Sequence, residues 1–360
     1  MTRITVQGLG VVGGFGAGIQ AFTRALESGQ SPRSALSVPT GSGPMELSAL
    51  MADTAPLKDL VPPKALRRMD HFTRMGLLGA HLALADAGLG SSGLEGLAVV
   101  LASGYGATAT TYALLDSIIA DGDTGSSPTH FSSSLHNACP ANIAILLGAT
   151  GPNLTVSQFD LSVPSALLSA QRWLLDGRVD RVLFGAVDEL SDLTAYTWWR
   201  QRGAPRAEPM APLRALEETA IPGEGAAFLV LSRVEEDRPG YCTLESISTG
   251  RCLEHRPSDL LLLGADGRRE LGAGYAAASR GSRIACTTPV YGSMPASPAF
   301  DLVTAALMLK ERRAFPSPGA CDFPAEVVAA GSLEVSRISC LTLADEDGYG
   351  RVELGRIPTR

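Results

Sequence analysis

Short apolar runs alternate along the chain with stretches whose apolar residues recur at helical spacing, and that alternation predicts an α/β protein. The clearest unit lies between Gly151 and Glu189. A β-branched strand (Leu154 to Val156) is followed by a short turn, a helix from Val163 to Leu175, the turn signal Asp176-Gly177, and a second strand from Arg181 to Ala186. Such a unit sets whatever follows its first strand at a helix N-terminus, where free backbone N–H groups and the macrodipole lower a thiol pKa or receive an anion. Upstream, Arg3 to Gln7 reads as a strand, and Arg67 to Leu89 as an amphipathic helix with Phe72, Met75, Leu78 and Leu82 at helical spacing and a stop at Gly88. A buried strand from Leu97 to Ala102 then enters Ser103-Gly104-Tyr105-Gly106. Downstream the pattern predicts strands at Phe228 to Leu231, Leu260 to Leu263 and Arg351 to Leu354, and a helix from Ala299 to Lys310. Residues 28–66 read as loop.

Composition narrows the function classes. The chain has 360 residues, 45% of them hydrophobic and 19% charged, which suits a sizeable α/β core. A net charge of −7 argues against phosphate-rich partners, so neither nucleic acid nor an anionic membrane surface is expected. Cys139, Cys242, Cys252, Cys286, Cys321 and Cys340 show no CxxC spacing, so no metal site, disulfide framework or cofactor is expected. The first ten residues read as a strand rather than a leader, and no apolar run approaches the roughly 18 residues of a membrane span. A cytoplasmic setting is the expectation.

Several local patterns invite chemistry. Gly8-x-Gly10-x-x-Gly13 matches a dinucleotide fingerprint, but the expected second strand ending in an acid is replaced by a segment rich in Ser, Gly and Pro. It reads instead as a strand followed by a glycine turn. His136 and Cys139 lie three apart in Ser127 to Cys139, the minimum for thiol catalysis, or else are helix residues preceding Gly151-Pro152. Ser132 to Ser134 lacks the G-x-S-x-G elbow. His71 and His81 share one helix with no further cluster and read as structural.

The run Gly151-Pro152, Val156, Asp160 and Ser162, then a helix and Gly177-x-Val179-Asp180-x-Val182-Leu183-x-Gly185-Ala186-x-Asp188, resembles the nucleophile region of the β-ketoacyl-ACP synthases of the thiolase superfamily. The Arg67 to Leu89 helix, Ser127-Pro128 with Asn137-Ala138, Pro222-Gly223-Glu224-Gly225-Ala226 and Gly348-Tyr349-Gly350 resemble further motifs of the same family. Glu218-Thr219-Ala220 departs from the D-G-F that usually precedes the G-E-G-A motif.

The resemblance implies a thiolase-like five-layer αβαβα fold of two similar halves, residues 1–238 and 239–360, with a hinge at Glu235 to Pro239. It also implies that Asp160 stands where the family has its cysteine. Asp266 and Ser293 stand where it has two histidines, and His255 fits neither position. An acyl group on a carboxylate is a hydrolysable anhydride, and losing one oxyanion donor typically costs on the order of 10² to 10³ in rate. Asp160 is expected to be an ionised helix cap. The implied function is a non-catalytic chain-length factor that pairs with an active ketosynthase, meets an acyl carrier protein and shapes a polyketide or aryl-polyene tunnel. Leu154, Thr155, Val156 and Ser157 would form the interface strand, and Tyr105, Thr108 and Tyr112 would border the tunnel. Two alternatives are an acyl-thioester hydrolase or transferase using Cys139 and His136, or Asp160, and a homodimeric scaffold.

Overall fold

The structure is a computed structural model that describes residues 3–41, 43–90, 94–203, 209–233, 240–253, 258–345 and 347–357. The expected hinge and His255 lie outside the described residues. Five strands of the first half, β1 (Ile4–Gly13), β2 (Ala98–Ala102), β3 (Asn153–Val156), β4 (Arg181–Asp188) and β5 (Gly225–Ser232), lie in the order β3-β2-β4-β5-β1. Five more, β6 (Cys242–Gly250), β7 (Leu260–Leu263), β8 (Arg283–Ala285), β9 (Arg337–Leu343) and β10 (Tyr349–Gly355), repeat it as β8-β7-β9-β10-β6. Strand directions match too: the first three strands of each path are parallel and the last two pair antiparallel. A short antiparallel register, Ile4 opposite Leu244 through Val6 opposite Cys242, joins the two paths. The sequence shows no repeat, whereas the chain path does.

Helices separate and cover these sheets. α1 (His71–Asp86) starts where the Asp70 carboxylate accepts the Thr73 amide at 2.7 Å, a side-chain cap. It packs on β1, β4 and β5 with α4 (Ala138–Leu147) beside it. α2 (Thr108–Asp121), α3 (Pro128–Ser134) and α6 (Asp192–Arg202) lie further out, while α5 (Ser162–Leu175) and α8 (Ser297–Glu311) sit between the halves and touch strands of both. α7 (Arg269–Ala278) covers the outer face of the second half, where Leu271 and Tyr275 join the cluster around β7 and β8. The layers therefore run helix, sheet, helix, sheet, helix, the thiolase-like arrangement. Every residue of α8 from Ser297 to Leu309 is buried, as a helix enclosed by two sheets requires.

The glycines near the N-terminus have a packing cause. β1 continues through Gly13, so Gly8, Gly10 and Gly13 lie inside a strand, and the expected glycine turn is displaced beyond them. A Cβ on Gly8 would stand 2.4 Å from the Ala83 carbonyl oxygen, and one on Gly10 2.2 Å from that of Gly79. These two residues let α1 lie directly on the sheet. Gly10→Ala must push α1 away and should destabilise the protein by on the order of 1–3 kcal/mol in urea unfolding. Gly90→Ala, with open space around its added Cβ, should be near neutral. Equal effects at the two positions would refute the packing account.

Candidate functional site

The loops that leave the C-terminal ends of β2, β3 and β7, together with the turn before α8, converge on one place. In open α/β sheets this end of parallel strands is where ligands bind. After β3 the chain reverses sharply through Phe159, whose φ of 45° is unusual for an aromatic residue, and Asp160 lies in the single 3-10 turn before α5. Ser162 holds this turn: its hydroxyl donates to the Phe159 carbonyl at 2.7 Å and accepts the Gln158 amide at 2.8 Å. After β2, the Asp188 carboxylate at the end of β4 accepts from the Ser103 hydroxyl at 2.8 Å and from the Gly104 and Tyr105 amides at 3.0 Å. Burial nevertheless pushes Asp188 up to about 6.

The structure brings Asp160, Asp266 and Ser293 into one network, and the link between them is a residue that sequence reasoning missed. The Arg268 guanidinium forks onto Asp160, with contacts of 2.9 and 3.1 Å, while its Nε meets Asp266 Oδ2 at 2.8 Å. Asp266 Oδ2 in turn accepts the Ser293 hydroxyl. Side-chain exposures of 16% for Arg268, 15% for Asp160 and 4% for Asp266 place the network in a largely desolvated site. Burial opposes the charge on Arg268, but Asp266 and Asp160 outweigh it and hold the guanidinium well above its ordinary value. The available signal was chemical: two acids in a buried cleft call for a cation, and Arg268 stands two residues after Asp266.

Asp160 departs from the expected helix cap. α5 has no side-chain cap bond, and the partner of Asp160 is a guanidinium 108 residues away. Burial raises the Asp160 pKa, with Arg268 opposing, so the helix terminus is not what keeps the carboxylate ionised. A planar guanidinium gripping one carboxylate bidentately and a second through Nε forms a closed charge arrangement with no thiol or imidazole in it.

The alternative nucleophile does not assemble. Cys139 is fully buried on α4, packed so closely to α1 that a Cβ on Gly76 would stand 2.4 Å from its sulfur, and burial raises its pKa well above the ordinary thiol value. His136 lies in the turn between α3 and α4, not on a helix, with its ring against Gly106. His71 bonds Glu224 at 2.8 Å, whereas burial lowers the pKa of His81.

The three residues expected to border the tunnel occupy different settings. Tyr105 meets the Phe159 ring at 6.3 Å, and burial, reinforced by Asp188 and Asp160, pushes its hydroxyl up to about 12. Thr108 is tied to Ser191 at 2.9 Å and Glu189 at 3.3 Å, and Tyr112 is 50% exposed on α2. Leu154, Thr155 and Val156 form the edge strand, but Ser157 lies past its end and donates to the Gly104 carbonyl at 3.3 Å. Among the described residues no group of three or more His, Cys, Asp or Glu could hold a metal, and no helix is long and apolar enough to cross a membrane.

The doubled strand order around a shared helical layer, with its turns converging after β3 and β7, is the architecture of thiolase-like ketosynthases. Solved structures bear this out at the level of the fold. The ishigamide ketosynthase/chain length factor superposes with a TM-score of 0.78 at 19% identity, covering 99% of this chain and 100% of that one. A type II polyketide synthase acyl carrier protein in complex with its ketosynthase, AntDE:AntF, gives 0.77 at 16% identity, covering 99% and 100%. The family description "Beta-ketoacyl synthase, N-terminal domain" matches residues 1–237, and the chain belongs to that family. A Streptomyces cyaneus protein bearing the name polyketide beta-ketoacyl synthase 1 is 28% identical over 265 residues, which cover 69% of this chain and 63% of that protein. The match to a granaticin polyketide relative from Streptomyces violaceoruber likewise spans 59% of that protein.

Beyond the site, Asp301 on α8 is 1% exposed, and its Oδ1 accepts the Tyr291 hydroxyl while Oδ2 has no hydrogen-bond partner among the described residues. Burial raises it from 3.8 to about 7, with Asp266 adding and Tyr291 opposing. Between those values the folded state holds a proton that the unfolded chain has lost. Its contribution to stability is therefore full at low pH and is lost as pH rises through about 7. Asp301→Asn should gain on the wild type by on the order of 1 kcal/mol or more between about pH 5 and about pH 8 in urea unfolding. A difference that does not change with pH would show that Asp301 is already ionised in the fold.

Proposed function

We propose that this chain is a non-catalytic ketosynthase-like subunit, a chain-length factor, that pairs with an active ketosynthase and shapes the tunnel for its growing acyl chain. The carrying observation is the Asp160–Arg268–Asp266 arrangement in the place where the family resemblance puts a cysteine and two histidines. A buried guanidinium between two carboxylates supplies neither a nucleophile for thioester exchange nor neutral donors for a decarboxylation oxyanion. The protein by itself should release no carbon dioxide from malonyl-ACP and take up no acyl group, as read by mass spectrometry. Asp160→Cys should stay inactive, because Arg268 and Asp266 remain beside the new thiol. Steady decarboxylation by the wild type, or condensation by that single variant, would sink the assignment.

Pairing is supported by the surface around β3. Among the described residues this strand pairs with β2 alone, leaving its outer edge open; α4 packs on it and α3 and α2 follow in turn, and along these helices and their connection Leu115, Ile119, Phe131, Leu135 and Ile145 are 46–82% exposed. An open edge flanked by apolar side chains marks an association surface. Obligate interfaces of this kind commonly bury more than about 2,000 Å². Co-expressed with a cysteine-bearing ketosynthase and its acyl carrier protein, the chain should co-purify with the ketosynthase and be homodimeric or poorly soluble without it. Tyr112→Ala in the pair should lengthen the product, whereas Thr108 is the poorer handle because its hydroxyl is already engaged. A stable monomer indifferent to the ketosynthase would remove this reading.

A further inference from the structure

The turn that carries Asp160 is strained at the residue before it. Phe159 holds φ at 45°, in the left-handed region that glycine or asparagine enters readily and a bulky side chain does not. Its side chain is also 67% exposed, so little of this chain packs on the ring that the strain holds in place. The conformation is nonetheless fixed from several sides. The buried Ser162 hydroxyl donates to the Phe159 carbonyl at 2.7 Å, lies 3.1 Å from the Ser103 carbonyl oxygen and accepts the Gln158 amide, while the Leu161 amide closes the turn on the Gln158 carbonyl at 3.0 Å. Gly104 lies close behind, where an added Cβ would stand 3.4 Å from the Phe159 Cα. A strained residue that its surroundings over-determine points to a function, and glycine would serve this turn with less strain and less apolar exposure.

The setting of the ring indicates what that function is. Asp160 turns its carboxylate inward to Arg268, while Phe159, one residue earlier, is left facing out beyond the C-terminal end of β3. The Tyr105 ring, 40% exposed, meets it edge-on with centroids 6.3 Å apart. This aromatic pair extends the open edge of β3 and the apolar surface of the helices that follow from it.

We infer that Phe159 is the anchor that this chain inserts into its ketosynthase partner, the ring entering an apolar recess of the partner alongside β3. Such anchoring presupposes the pairing proposed above and adds to it the side chain on which the pairing turns. Aromatic anchors seated in desolvated pockets carry a large share of interface energy, and a ring already fixed in direction by its backbone loses little freedom on binding. Burial in the partner would then remove the apolar exposure that the free chain tolerates.

The test is equilibrium binding to a cysteine-bearing ketosynthase, measured by sedimentation of the co-expressed and separated pair. Phe159→Gly removes the ring and suits the left-handed backbone, so it should keep the wild-type circular dichroism spectrum and bind the ketosynthase at least tenfold more weakly. Phe159→Leu should recover part of that loss. Leu216→Ala should leave affinity unchanged, since Leu216 is 75% exposed beside Ala215, which packs on Gly272 of α7, and so lies on another surface. Should Phe159→Gly fail to fold, Phe159→Asn keeps the backbone preference and should weaken pairing equally; failure of both to fold would show that the ring serves this chain's own fold and would overturn the role. Affinity untouched by the Phe159 variants, or lowered as much by Leu216→Ala, would overturn the anchor and leave the pairing standing. A wild type that binds no ketosynthase would remove the pairing and the anchor together.

Discussion

A helix buried on all sides is the constraint to which the rest of this structure is fitted. α8 contacts strands from both halves, so it offers no polar face, and from Ser297 to Leu309 it is shut away from water. With α5 it forms the layer on which both sheets rest, and its N-terminal turn is consequently fixed among the loops that carry Asp160 and Asp266. The few polar side chains it admits bear the cost of desolvation. Asp301, with its raised pKa, is the plainest instance.

The same confinement explains the site. Asp160 comes from the first half, and Asp266 and Arg268 from the second, yet all three are brought together in a place with little water. Arg268 alone would be an uncompensated buried cation, and either acid alone an uncompensated anion; removing one partner of such a pair commonly costs about 3–5 kcal/mol.

Much of the fold was legible because burial writes itself into sequence as apolar periodicity. The strand Leu260 to Leu263 was bounded to the residue, and the helix predicted from Ala299 to Lys310 extends only to Ser297 and Glu311. Where a rule of local chemistry was applied to a long-range cause, it failed. Gly8, Gly10 and Gly13 looked like a turn, but Gly8 and Gly10 are small because helix α1, some seventy residues on, presses its backbone against the strand, and Gly13 because the Phe15 ring lies against it. The site divided in the same way. Family resemblance pointed to Asp160, Asp266 and Ser293, which Arg268 links into one network, whereas Arg268 itself belongs to no family motif and acquires its role only from tertiary contact.

The two ends of the strand path are not alike. At the first, β3 lies bare; at the second, β8 is covered by the two-residue strand Glu326–Val327, too short to template another chain. Among the described residues, a long free backbone edge is therefore offered on one side of the path. If β3 meets a matching strand as proposed, this chain is left with no second long edge among its described residues, and growth would stop at two chains rather than run on into a filament.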